Sequence, residues 1–342
     1  MRYARLCALS HVNCSNNMRK MKMKFKENRE TYAKIATLYY LAGKSQNEIG
    51  EIFNISRFKV SRVLDKCRTM KIVEFKVNPS SEYLPNLEKE LKERLGVKEV
   101  TIVQSGSTLQ ESKENVAREA ATYLETKIKD SMNIGLSWGS TIQQVCKYYN
   151  KKNSYPNTTF IQLSGSLCSR PIMEDGYMDG NIFVQRMAAK AHAGWSLFVA
   201  PYVVHNPSLK ELLYEEPQIK SHVQLFKKLD MALIALGADD PSKSVSYLSG
   251  YLTFEETKKL VDDHMSADIC GTRLTPNGEI RETILTNRVL TIDLMDLHDL
   301  PDVCAIGAGA EKACSFIAGC LGGFIKYAIM DEVCALSIIS MT

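Results

Sequence analysis

Apolar residues recur at helical spacing near the start of the chain. Ile35, Leu38, Tyr39 and Ala42 fall at i, i+3, i+4 and i+7, one stripe of a helix that begins near Arg29 and that Gly43 ends. Ser45 with Glu48 three residues on forms a capping box for a second, short helix with Ile49, Ile52 and Phe53 on its inner face. Asn54-Ile55-Ser56 breaks the pattern. Asn tolerates the left-handed backbone of a tight turn, and Ser56 caps the next helix. That third helix repeats the spacing with Val60, Val63, Leu64 and Cys67, while its first turns and other face carry Arg57, Lys59, Ser61 and Arg62. Two short helices joined by a tight turn, the second basic at its N-terminal end, predict a helix-turn-helix. The alternation of KIVEFKV (71–77) predicts a strand, either a wing or the lead into a linker.

Asn78-Pro79-Ser80-Ser81 is rich in turn formers, and Pro85 suits the first turn of a helix carrying Leu87, Leu91 and Leu95 and closed by Gly96. That helix is read as a hinge or a dimer contact. From residue 97 onward, short apolar runs alternate with amphipathic stretches. VKEVTIV, MNIGLS, TTFIQLSG, WSLFVAP, DMALIALGA, DVCAIGAG and KYAIMDE read as buried strands. Helices lie between most of them: one through Val116, Ala120, Leu124 and Ile128, one through Val145, and others at 181–193, 254–263 and 310–321. The pattern predicts an α/β class, an open and mostly parallel sheet. The expected organisation is a basic extension over 1–24, an all-α helix-turn-helix domain over 25–78, a linker helix over 79–96 and a large α/β domain over 97–342.

Charge sharpens the reading. Residues 1–78 hold 17 Lys and Arg against 6 Asp and Glu, net +11, whereas the rest holds 26 against 33, net −7. A basic head on an acidic body points to a polyanion at the head. Arg57, Lys59, Ser61 and Arg62 are the candidates for base edges and phosphates of double-stranded DNA, because such a helix inserts its N-terminal residues into the major groove. Lys44, Ser45 and Gln46 open the helix before it, where a phosphate can be held. The ten cysteines form no C-x-x-C pair and sit in core-like runs, as Cys304 does, so free thiols in a reducing, cytoplasmic compartment are expected. The six histidines lack metal-ligand spacing, and no cofactor is implied. No run of about 18 apolar residues appears. Residues 1–24 are read as a disordered basic arm or as an extension from an upstream start codon.

In an open parallel sheet, ligands bind beyond the C-terminal strand ends. Three strand-to-helix turns there are rich in small and polar residues. The first runs through Gly139, Ser140 and Thr141, where close backbone approach meets hydroxyls at a helix start. The second runs from Gln162 through Ser164 and Gly165 to Ser166. The third runs from Gly307 through Gly309 to Lys312, which can supply a cation. Together they predict a shared pocket for an anionic ligand. Asp268, Asp331 and Glu332 also fall near strand ends, where a carboxylate binds sugar hydroxyls, acts in acid–base chemistry, caps a helix or pairs with a cation. Arg273 is a partner for Asp268 or for a phosphate.

The order of the helix-turn-helix, the linker helix, GLSWGST, QLSGS, ALIALGA, ADICGTRLTPNGE, AIGAGAEKA and MDEVCA resembles the SorC family of bacterial sugar-binding transcriptional regulators, from about residue 30 to the C-terminus. The resemblance implies an effector domain related in fold to ribose-5-phosphate isomerase and glucosamine-6-phosphate deaminase, a phosphorylated sugar as effector, and tetrameric binding to operator DNA. It implies that Gly139, Ser140 and Thr141 take the phosphate and that Gln162, Ser164 and Gly165 line the pocket. Asp268 matches the acidic residue of the family's G-D-I-x-G segment, Gly309 its paired glycines and Lys312 its following lysine. The chain departs from the family's pattern at Ser140, Ala267, Leu274-Thr275 and Ala308. Two other readings stand beside this one: a sugar-phosphate isomerase or deaminase with a DNA-binding head, and a DNA-binding oligomer indifferent to any ligand. No catalytic set can be assembled from the residues.

Overall fold

The computed structural model describes residues 24–73, 82–150, 154–167, 179–237, 244, 247, 250–262 and 267–342. The chain divides into two compact units, residues 1–77 and 78–342. The extension expected over 1–24 falls almost wholly outside the described residues, as does most of the strand expected over 71–77.

The first unit is built from three α-helices, α1 (Arg29–Ala36), α2 (Gln46–Phe53) and α3 (Arg57–Thr69). They close over a core of Tyr32, Ile35, Ala36, Ile49, Phe53, Val60, Val63, Leu64 and Cys67. The capping box forms: Ser45 Oγ accepts from the Glu48 amide, and the Glu48 carboxylate accepts from the Ser45 amide at 2.8 Å. Asn54 takes the left-handed conformation at φ 53°, and Ser56 Oγ accepts from the Lys59 amide. The expected stripe on α1 fails at its last position. A π-helical turn over Thr37–Leu41 adds a residue to the turn, so Leu38 and Tyr39 pack on the core but Ala42 is exposed. Arg29 closes the far end by donating to the Met70 carbonyl at 3.1 Å, a cation at the C-terminus of α3.

The second unit is a three-layer α/β/α sandwich. Its strands are β1 (Glu99–Val103), β2 (Asn133–Leu136), β3 (Thr159–Gln162), β4 (Gly194–Ser196), β5 (Met231–Ala235), β8 (Val303–Gly307) and β9 (Tyr327–Asp331), in the order β1-β9-β8-β5-β2-β3-β4 and all parallel. Period-two alternation explains why these strands read as unbroken apolar runs. In β5, Met231 and Leu233 enter one core while Ala232 and Ile234 enter the other, and β8 divides Cys304 and Ile306 from Val303 and Ala305 in the same way. One core is covered by α5 (Leu109–Lys127), α6 (Ser140–Tyr148) and α7 (Gly180–Ala191).

The other core takes in α4 (Tyr83–Leu95), through Leu87, Leu91 and Leu95, and the last helices of the chain. The helix read as a hinge or a dimer contact packs into this core and carries Pro85 in its first turn. Between β4 and β5 lie α8 (Pro207–Glu215) and α9 (Pro217–Gln224), and β5 is followed by α10 (Phe254–Asp262). A separate antiparallel hairpin, β6 (Ala267–Ile269) and β7 (Thr272–Leu274), comes next, and then the short α11 (Leu294–His298). After β8 come α12 (Ala313–Leu321), β9 and finally α13 (Glu332–Met341). The seven described cysteines are all free, and six of them are buried. No helix among the described residues is long and apolar enough to cross a membrane.

His222 ties β3 to β4. Its Nε2 lies 2.8 Å from the Gln162 carbonyl, its Nδ1 lies 2.7 Å from Ser196 Oγ, and its ring stacks on Phe198. Burial holds its pKa below the ordinary 6.5, so the folded protein keeps the ring neutral. The unfolded chain therefore binds the extra proton first, and the stabilisation is complete above about pH 6.5 and lost as pH falls below it. The melting temperature should drop between pH 7.5 and 5.5, and less steeply in His222→Asn; equal slopes for the two proteins would refute this role for His222.

Candidate functional site

The strand order reverses between β2 and β5. The chain leaving β2 returns to the sheet as β3 on one side, and the chain leaving β5 returns as β8 on the other. The two departing loops diverge and open a crevice at the carboxyl ends of the strands. A cavity with a water-accessible volume of about 100 Å³ lies there, walled by the β2–α6 turn, the end of β5, Lys113 of α5, Lys312 and the β6–β7 hairpin.

The β2–α6 turn is pinned from below. Ser137 Oγ accepts from the Ala235 amide at 2.8 Å, and the Ser137 amide donates to the Leu233 carbonyl. Gly139 stands at φ 145°, and a Cβ there would lie 3.2 Å from the Ala235 methyl. No side-chain cap hydrogen bond closes the start of α6. Ser140 is half-buried and Thr141 is buried in that turn. Lys113 Nζ reaches Ser140 Oγ at 3.3 Å, and Lys312 Nζ donates to the Leu236 carbonyl at 2.9 Å.

The hairpin forms the opposite wall. Cys270 and Gly271 make a two-residue turn with φ of 50° and 85°, the positive pair that matches strand twist. Asp268 accepts from the Gly271 amide at 2.8 Å and faces Arg273 at 3.5 Å. The Gly237 amide donates to the Asp268 carbonyl, which joins the hairpin to the end of β5. Two donors on the cavity wall, Trp138 Nε1 and Arg273 Nε, are buried and find no acceptor among the described residues. Burial pushes the Cys270 thiol up to about 12, so it stays protonated and lines the wall as a neutral, soft group.

Six of the nine residues expected in the pocket meet there: Gly139, Ser140, Thr141, Ser164, Asp268 and Lys312. The other three serve the scaffold. Gln162 is fully buried, donates to the Ser164 carbonyl and accepts from the Phe198 amide. Gly165 packs against the Pro201 backbone, where a Cβ would come within 2.6 Å of a carbonyl oxygen. The Gly309 amide donates to Asp331, which also caps α13 and accepts from Ser105. Asp331 is thus a cap and a loop anchor, and Glu332 bonds Tyr83. Lys113, Tyr202 and the Cys270-Gly271 turn also line the cavity. Lys113 carried no sequence signal, for it lies in an ordinary amphipathic helix. The turn was visible as a glycine after a short apolar run.

In the first unit, Arg57 and Arg62 are exposed and Ser61 is half-buried on α3. Lys59 is ion-paired with Glu27 and lies over the Phe25 ring, so it is held to the flank of α3. Ser45 has both its amide and its hydroxyl engaged by Glu48, and that carboxylate opposes a phosphate at the same spot. Lys44 and Gln46 are half-buried beside it.

Residues 81–340 match the model of the family described as "Putative sugar-binding domain". The chain belongs to this family, that of SorC-type sugar-binding transcriptional regulators. It is 26% identical to the Deoxyribonucleoside regulator of Bacillus subtilis over 324 residues, 92% of this chain and 99% of that protein. It is 24% identical to the Sorbitol operon regulator of Klebsiella pneumoniae over 302 residues, 87% of this chain and 94% of that one. The crystal structure of the full-length Sorbitol Operon Regulator SorC from Klebsiella pneumoniae superposes with a TM-score of 0.69 over 92% of this chain and all of that one, at 23% identity. The fold is therefore that of SorC-type regulators. These relatives are named as transcriptional regulators, not as enzymes.

Gly271→Ala tests the wall. A Cβ there would lie 2.4 Å from Tyr202 Oη and 2.9 Å from Val289 Cγ1, on a backbone at φ 85°. The substitution should cost on the order of 1–3 kcal/mol, read as a lower urea midpoint. An unchanged midpoint for Gly271→Ala would show that the turn is not constrained as described.

Proposed function

We propose that the protein is a cytoplasmic DNA-binding transcriptional regulator of a sugar operon, and that a small phosphorylated sugar bound in the second unit controls its affinity for operator DNA. One observation carries the ligand class. Among the described residues Lys113, Arg273 and Lys312 line the cavity together with one carboxylate, Asp268, so cations outnumber carboxylates on its wall. A phosphate monoester carries roughly −1.5 to −2 near neutral pH, the kind of anion such a cation-rich wall suits. The uncapped start of α6 and Ser140 take its oxygens. At the other wall, Asp268 accepts from hydroxyls, as a sugar would supply. Among the described residues no histidine and no second carboxylate lines the cavity, and Asp268 is ion-paired. That set gives no acid and base pair for turnover.

The DNA side rests on the capped helix-turn-helix, the net charge of +11 over residues 1–78, and the exposed Arg57 and Arg62. A two-fold or four-fold assembly of heads would read inverted half-sites one or more helical turns apart. The effector shifts DNA affinity by no more than its own preference for one state over the other.

A thermal-shift screen of the full chain against sugar phosphates, each paired with its parent sugar, tests the ligand. A phosphosugar at 100 times its dissociation constant should stabilise by about 2.7 kcal/mol, and Lys312→Met, which melts lower without ligand because the Leu236 carbonyl loses its donor, should gain no further shift when the ligand is added. A flat screen, or equal shifts with parent sugars, would remove the phosphate from the reading. Separately, Arg57→Ala and Arg62→Ala should abolish operator footprints with helical content unchanged; normal footprints from both would displace the contact surface from α3.

A further inference from the structure

One residue at the centre of the outward face of α3, in its first turn, is neither a cation nor a hydrogen-bonding group. Phe58 is 77% exposed in the first turn of that helix. At about 100° per residue, Phe58 points about 170° away from the mean direction of the buried stripe of Val60, Val63, Leu64 and Cys67. Arg57 and Ser61 lie toward one flank, at about 70° and 110° from that direction, Arg62 lies beside Phe58 at about 150°, and Lys59 is held aside by Glu27 and Phe25. A helix entering the major groove carries the centre of its outward face deepest, and its N-terminal turn makes the base contacts.

An apolar ring at that point has no hydrogen bond to offer a base edge. What the major groove offers an apolar group is the thymine C5-methyl, which differs from every other feature on its floor. The exposed Arg57 and Arg62 on either side supply the charge that holds the ring against the polyanion. We propose that Phe58 is a specificity-determining residue that reads a thymine methyl in each operator half-site. The inference rests on the DNA-binding function proposed for the first unit.

The test uses the full-length protein and works without a known operator. Wild type and Phe58→Ala each select from a random duplex DNA pool. The wild-type winner is then resynthesised with deoxyuridine replacing each thymine in turn, which deletes the methyl and nothing else. One replacement per half-site should weaken wild type about fourfold, the effect of one buried methyl group. Phe58→Ala should bind the thymine and deoxyuridine duplexes alike, and its selected sequence should lose that one position. Phe58→Leu, still apolar, should keep part of the preference. The deoxyuridine scan of wild type stands even if a variant misfolds. A wild type indifferent to every replacement, or an Ala variant that selects the same sequence, would overturn the role of Phe58. So would an Ala variant whose oligomeric mass changes while its selectivity does not. No enrichment by wild type would instead overturn DNA binding itself, and this inference with it.

Discussion

The reversal of strand order between β2 and β5 is the constraint on which the rest of the second unit depends. Crossovers in a parallel sheet run to one side or the other of a strand, and where two neighbours send their chains apart no loop covers the gap. The gap exposes the amide end of α6 on one strand end and the carbonyls of Leu236 and Gly237 on the next. Those carbonyls are not left open: Lys312 Nζ takes the first and Ser315 Oγ the second. The cation therefore stands at the cavity because the backbone at the end of β5 needs a donor. The hairpin β6–β7 then closes the crevice from above, joined to β5 through the Leu236–Ile269 bridge and the Gly237 amide.

Most of this architecture is legible in the chain alone. Strands buried on both faces leave continuous apolar runs, as β5 and β8 show, and each of the seven strands of the sheet overlaps an expected run. Caps leave equally plain marks, as Ser45, Asn54 and Ser56 show. What escaped had weaker physics behind it. Strands β6 and β7 have three residues each, too short for alternation to be counted, and their turn is signalled by one glycine. The π-helical turn at Thr37–Leu41 moved Ala42 off the core, and nothing in the residue types marks it.

The pocket residues divide along the same line. Gly139, Ser140, Thr141 and Lys312 were legible because a strand-to-helix turn fixes their place locally. Lys113 and Tyr202 reach the cavity only through tertiary packing. Gln162, Gly165 and Gly309 carried the same small-and-polar signal as the true lining residues, yet they serve the scaffold. A glycine packed against backbone and a glycine on a cavity wall look alike in a sequence. Only the atom a Cβ would meet tells them apart, a carbonyl of Pro201 for Gly165 and open cavity beyond Ala235 for Gly139.

The unsatisfied donors decide how the cavity is understood. A buried donor without an acceptor costs about 1–3 kcal/mol, and a buried guanidinium with one weak carboxylate contact adds to that cost. Arg273 is 3% exposed and its ion pair is 3.5 Å long, so the pair returns little of the cost. A chain selected for stability alone would place an apolar side chain of similar volume there. Keeping Arg273 and Trp138, both lining one small cavity, with buried unpaired donors makes sense if the deficit is made good on binding. The stabilisation then belongs to the liganded state, which is what a control element requires: an equilibrium moves only as far as the ligand favours one of its states.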